Sequence, residues 1–412
     1  MLVVLLLGLL LLREPRFAAV EERFLSWLIR HSQGGGAPVP LTVVEIGEDP
    51  LMAPKASAGP AANANTPPAS DAGASAVSPL EFALFLQSAL DFQPGVIAFE
   101  NILRWRARDR DQEQVFLDQA MRVPKLLLAA ELGAQTDPDA PVAEIRGFPQ
   151  VTGRRGDLPA FSAVNRQPGE DLRLISTGGY INFPEEITSN IRVPLLFQYR
   201  GEVIPSFTLQ AILLWLRVTP ADVKIVLGSH IALPQDRKVP ISADGSLLVD
   251  PTASRRARRL SLNELLLAAQ QRDSAGTGDE RKLDLQDQIV LARTPANPLS
   301  PPDLFAAAIA TIQSNKYLRR VHVLFDCVLL LLIGAAAGSV RRVDRVDLLL
   351  YGIAFTAAYC LVAIGMLSRW SIWLPGVLPL ATVWLLIIIG MLFRDKAQDA
   401  REAGITIPPP IA

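Results

Sequence analysis

The residues whose types suit chemistry gather after three short apolar runs. Glu45, Glu48 and Asp49 end or follow Thr42–Ile46. Glu100 and Asn101 follow Val96–Phe99, with Arg104 beyond. Arg293 and Thr294 follow Ile289–Ala292. Carboxylates, an amide and guanidinium groups brought together would bind a small polar ligand. In open parallel sheets such ligands sit outside the carboxyl ends of the strands. The plainer account is that polar residues at strand ends cap helices or meet solvent.

The familiar catalytic constellations are absent from the sequence. There is no phosphate-binding loop closing in Lys-Ser/Thr, no GxGxxG and no HExxH. There is no GxSxG elbow and no kinase set. His31, His230 and His322 are far apart, and 2 cysteines build neither a disulfide framework nor a four-cysteine zinc site. The expectation is a non-enzymatic chain that needs no cofactor and no metal. Its 40 Lys+Arg against 41 Asp+Glu give a net charge of −1, without the basic excess a nucleic-acid binder uses.

The elements that must position these residues follow from pattern. Thr42–Ile46, Val96–Phe99, Leu126–Ala130 and Ile289–Ala292 are continuous apolar runs bounded by turn residues, as buried parallel strands are. Helical patterns lie at Pro79–Leu90 with Ser78 as cap, at Asp111–Met121 and at Asp303–Ile312. Strand–helix alternation predicts βαβ units. The middle predicts an antiparallel patch over Tyr180–Phe183, Val193–Tyr199, Val223–Leu227, Ile231–Leu233, Val239–Ile241 and Ser246–Val249, with Asp244-Gly245 as a tight turn. Ser206–Leu216 reads as a capped helix. The fold class is therefore an exported α/β domain, a mixed sheet with a parallel βαβ core plus antiparallel strands, joined to an α-helical membrane bundle. Residues 52–79 hold ten Ala, five Pro, four Ser and two Gly, and read as a disordered insertion. Arg255, Arg256, Arg258 and Arg259 read as a solvated loop or a contact for anionic head groups.

The mean hydropathy of +0.27 comes from the ends of the chain. Val323–Val340, Leu348–Leu367 and Ile372–Phe393 are apolar runs of about the 20 residues that cross a ~30 Å hydrocarbon layer, so three membrane helices are expected. Leu2–Leu12 is shorter and reads either as part of a first span or as an export signal. The bias of basic residues places the tail in the cytoplasm and the body outside. Asp326 lies near the start of the first C-terminal run, where Arg320 or His322 would pair with it. The resulting domains are 1–12, a first membrane segment; 13–41, a linker helix; 42–321, the exported body; 322–394, three spans; and 395–412, a short tail.

One ordered set of segments carries a resemblance. It runs Arg192-Val193-Pro194-Leu195-Leu196, Tyr199-Arg200-Gly201, Ile204-Pro205-Ser206-Phe207-Thr208-Leu209-Gln210-Ala211, Val239-Pro240-Ile241 and Asp244-Gly245-Ser246-Leu247-Leu248-Val249. Thr42–Gly47, Leu285–Thr294 and Tyr317-Leu318-Arg319-Arg320 extend it over nearly the whole chain. In this order the sequence resembles the type-two CHASE domain, an extracytoplasmic sensory domain of bacterial receptors that is followed by three membrane helices. There are departures. An Ala/Pro-rich insertion stands where the family has a Trp-Pro-Trp-like segment, Glu100 replaces an Asp, and Pro295–Asp303 shortens a long loop.

The resemblance implies a multi-pass protein of the bacterial inner membrane with its large domain in the periplasm and its C-terminus in the cytoplasm. Only Asp395–Ala412 follows the last span, so no output enzyme is expected in the chain. The expected role is an input or accessory subunit. Its partners would be the lipid bilayer and a separate membrane or envelope protein, with room for a homo- or hetero-oligomer. The alternative is a structural or scaffold subunit of an envelope assembly.

Overall fold

The computed structural model describes residues 15–32, 37–47, 77–105, 109–134, 145–183, 191–274, 283–294, 303–321, 323–339 and 345–402. The chain divides into two compact units, Gly36–Tyr317 and a second made of Met1–Gly35 with Leu318–Ala412. The first unit ends at Tyr317.

The first unit is built on a seven-stranded mixed sheet. Its strands are β1 (Leu41–Glu45), β2 (Val96–Phe99), β3 (Leu126–Gly133), β4 (Ala163–Arg166), β5 (Thr177–Tyr180), β6 (Arg258–Ser261) and β7 (Ile289–Arg293). The spatial order is β6-β1-β7-β2-β3, and β3 also pairs with both β4 and β5. Every pairing is parallel except β3 with β4. The apolar runs are continuous because both faces of the sheet are covered. Side chains alternate between two cores. Leu41, Val43, Val96, Ala98, Ile289 and Leu291 enter one core with helices Phe207–Leu216 and Leu304–Ser314. Val44, Ile97, Phe99 and Val290 enter the other with helices Pro79–Leu90, Arg110–Ala120 and Leu262–Ser274.

Local sequence sets the helix starts. Ser78 Oγ accepts from the Leu80 N–H at 3.2 Å, and Ser206 Oγ from the Leu209 N–H at 3.4 Å. On the second face an aromatic cluster locks sheet to helix. Phe116 stands edge-on to Phe99 at 5.8 Å and to Trp105 at 5.2 Å.

The middle of the chain adds small sheets, with three corrections to the expected strands. Thr177–Tyr180 runs parallel to β3 within the main sheet, where an antiparallel patch over Tyr180–Phe183 was expected. Val193–Tyr199 is not one strand. Arg192–Pro194 pairs with Ser246–Leu248, whereas Leu196–Tyr199 pairs with Glu202–Pro205. Pro194 lacks an N–H, which limits how far the first ladder can run. The hairpin of Leu196–Tyr199 and Glu202–Pro205 turns on Arg200 and Gly201, both at positive φ (49° and 88°). The arginine run is also no plain loop, since Arg258 and Arg259 lie on β6, the edge strand beside β1. Of the insertion 52–79, only Val77, Ser78 and Pro79 fall within the described residues.

In the second unit, helix Pro15–His31 packs with helices Arg345–Trp370 and Val377–Glu402. Among the described residues one helix, Val346–Trp370, is long and apolar enough to cross a membrane. Leu324–Ala336 and Val377–Ile389 are shorter apolar helices. The run Ile372–Phe393 does not begin as helix. Ile372–Trp373 pairs in parallel with Arg319–Arg320, and Pro375 bars a helical Leu374. Leu2–Leu12 lies outside the described residues.

Candidate functional site

Two places in the first unit gather polar side chains outside the carboxyl ends of the strands. The first is a closed ionic network. β1 and β7 are in register so that Glu45 lies opposite Arg293. Period-two alternation puts both on the face that carries Val43 and Leu291. Helix Leu304–Ser314 covers that face, and Asp303 immediately precedes it at φ 63°. Its carboxylate does not cap the helix. It is held by Arg293 and by Arg259 of β6, the latter at 2.6 Å. Glu45 lies 3.6 Å from Arg259 and 3.8 Å from Arg293.

Two acids face two bases here, so the network is neutral. Burial alone would raise the Asp303 carboxyl, but hydrogen bonds and charge from Arg259 and Arg293 outweigh it and hold that carboxyl below its usual range. Beside the network the loops after β2 and β7 are pinned together. The Asn101 amide donates to Thr294 Oγ1 at 2.5 Å, and the Thr294 N–H donates to Asn101 Oδ1 at 3.1 Å. Glu100 is 4% exposed, and its N–H extends the ladder to the Ala292 carbonyl. The network therefore fills the strand-end position with the chain's own ions.

The second place is open. A cleft of about 360 Å³ is lined by Leu103, Arg104 and Trp105 after β2, by Glu113 of helix Arg110–Ala120, and by Val164 and Asn165 of β4 with Gln167–Gly169. Its volume falls in the range of small-ligand sites, roughly 300–1,000 Å³. One wall is rigid, because Trp105 is clamped against Phe116 and its indole N–H donates to the Val77 carbonyl at 3.2 Å. Arg104 and Glu113 bring opposite charges to this cleft. Neither makes a hydrogen bond or ion pair with another described residue. Burial, joined by the charge of Asp171, pushes the Glu113 carboxyl above its ordinary range against a weaker pull from Arg110.

The residues expected together are thus divided. Glu45 and Arg293 share the network, Asn101 forms the clamp, Glu100 is buried just after β2, and Arg104 lines the cleft. Glu48 and Asp49 lie outside the described residues. Sequence reasoning missed Arg259 and Asp303 in the network, and Glu113, Asn165 and Gln167 in the cleft. A signal for Arg259 existed. Ser261 and Glu264 form a capping box, with the Ser261 N–H donating to Glu264 at 2.7 Å and the Glu264 N–H to Ser261 Oγ at 3.3 Å. That motif starts a helix directly after the arginines and leaves them a strand's position. Among the described residues no group of three or more His, Cys, Asp or Glu is placed to hold a metal. Set against models of known protein families, curated proteins and solved structures, the chain matches none of them.

Proposed function

We propose that this chain is a non-enzymatic, multi-pass protein of the bacterial inner membrane whose α/β unit is a periplasmic input domain acting through a separate partner protein. The observation that carries this reading is the cleft outside the carboxyl end of β2, with a rigid aromatic wall and two opposite charges that pair with no other described residue. Such a site binds and orients a solute. The resemblance to the type-two CHASE family supports the same reading. Its central segments fall on strands and a helix of the first unit, from Arg192–Pro194 through helix Phe207–Leu216 to Ser246–Leu248.

The membrane bundle belongs to this proposal. Helix Val346–Trp370 meets the length and composition of a span, and the two shorter apolar helices flank it in sequence. Within the second unit, buried Glu21 of helix Pro15–His31 accepts from the N–H groups of Gly376 at 3.2 Å and Val377 at 2.9 Å. Arg320 stacks on Trp373 at 5.5 Å and reaches Asp326 at 3.5 Å, the pairing expected for that acid. The chain segments leading into and out of the input domain are therefore both tied to the start of the last helix. Solute binding would shift the bundle between two arrangements only by differential affinity for them.

A scaffold role is the second reading, and the closed Glu45–Arg293–Asp303–Arg259 network favours it, because the usual ligand position of a parallel sheet is occupied there. Thermal unfolding of the full chain in nanodiscs, screened against small periplasmic solutes, separates the two. Stabilisation by a solute, lost on altering the cleft, supports the input domain. A flat response across the screen supports the scaffold.

A further inference from the structure

The cleft also carries information about what it takes. Its polar groups are divided by sign. Arg104 lies on the segment after β2, and Glu113 lies in the first turn of helix Arg110–Ala120. Two opposite charges that share a cleft and pair with no other described residue leave two complementary positions for a ligand. Val164 supplies partly exposed apolar lining and Trp105 a fixed aromatic wall, while Leu103 and Pro168 lie buried behind the surface. Asn165 and Gln167 add amides. The Asn165 amide nitrogen is already engaged by Glu131 at 3.1 Å, which leaves its carbonyl oxygen as the acceptor on offer.

A simple anion would meet Arg104 but also the Glu113 carboxylate. A simple cation would meet the reverse conflict. A dinucleotide or oligosaccharide would need more room than about 360 Å³. A ligand bearing both charges on a small body satisfies both walls. Resting on the input-domain reading above, we propose that the cleft binds a small zwitterion of the α-amino-acid class, its carboxylate on Arg104, its ammonium on Glu113 and an apolar side chain against Val164 and Trp105.

The test is calorimetric titration of the full chain in nanodiscs with L-leucine, N-acetyl-L-leucine and L-leucinamide. Leucine is expected to bind, and each charge-blocked analogue to bind at least about ten-fold more weakly, since each loses one charge-assisted contact. Arg104→Gln and Glu113→Gln are expected to weaken leucine by a similar factor while melting close to the parent without ligand. N-acetyl-leucine binding as tightly as leucine overturns the assignment. So does leucine binding that both substitutions leave unchanged, or the absence of any leucine binding at about 10 mM. The analogue series uses the parent chain, so a variant that fails to fold does not spare the proposal. If leucine fails while another solute binds and is lost in Arg104→Gln, only the ligand class falls. If the chain is instead recovered in a stoichiometric envelope complex with no signalling protein, the input-domain reading itself falls.

Discussion

Replacing Asp303 by Asn isolates the ionic network. Asn tolerates the left-handed backbone found at this position, so the change removes charge and leaves the turn intact. The Arg259 side chain is 40% exposed, and its pair with Asp303 is screened and contributes about 0.5 kcal/mol. The Arg293 side chain is 14% exposed, and its bond to the carboxylate contributes about 1.5 kcal/mol as a charge-assisted contact. The expected loss is about 2 kcal/mol. For a body of this size that is roughly 5 °C in Tm. The pH dependence has a definite sign. Asp303 is held below its ordinary value, so its contribution is full above the ordinary carboxylate range and fades as pH falls through that range toward its lowered folded value. Thermal unfolding of parent and Asp303→Asn in nanodiscs, from pH 7 to pH 3, reads this directly. The gap should be widest at neutral pH and close in acid. Equal melting at pH 7, or a gap that stays constant to pH 3, would refute the account of the network.

Three further outcomes follow from packing and capping. Phe116→Ala removes a fully buried ring that touches Phe99 and Trp105, and should lower stability by about 3–5 kcal/mol in denaturant titration; a loss under about 1 kcal/mol would contradict the cluster. Gly376→Ala would bring a methyl to 2.1 Å from the Phe24 ring and should cost about 1–3 kcal/mol, partly restored by Phe24→Ala in the same chain. Glu21→Ala removes the acceptor from the N–H groups of Gly376 and Val377, and should lower the melting of the second unit by about 1–2 kcal/mol, which equal melting would exclude.

Much of the sheet was legible because parallel strands covered on both faces read as unbroken apolar runs. Val96–Phe99 is found at the predicted bounds, and Thr42–Ile46 and Ile289–Ala292 within one residue of theirs. Helix starts were legible where a serine caps them, at Ser78 and Ser206. What escaped was long-range pairing. Nothing local in Arg258-Arg259-Leu260 says that its partner is β1, more than two hundred residues earlier, so charge outweighed pattern and suggested a loop. Thr177–Tyr180 is short and contains two glycines, and only its place beside β3 makes it a strand of the main sheet.

The site was legible by half for a related reason. Strand ends could be named from the runs, and Glu45 opposite Arg293 follows from register once the strands are adjacent. The third and fourth members of that network come from β6 and from the residue before a helix. The cleft needs β4 and the segment after it, which fall in a stretch whose loop-rich composition hides its order. Glu113 was present in the sequence as an ordinary acid in the first turn of a helix, where the helix dipole is reason enough for it. Only the fold places it in one cleft with Arg104.

The central claim is that the chain receives a signal for a separate partner. It is tested most directly by purifying the tagged full chain from its native membranes under mild detergent and quantifying what accompanies it. The account predicts a signalling protein, such as a kinase or cyclase, in a fixed ratio to the chain. A stoichiometric complex made only of envelope structural proteins would contradict it.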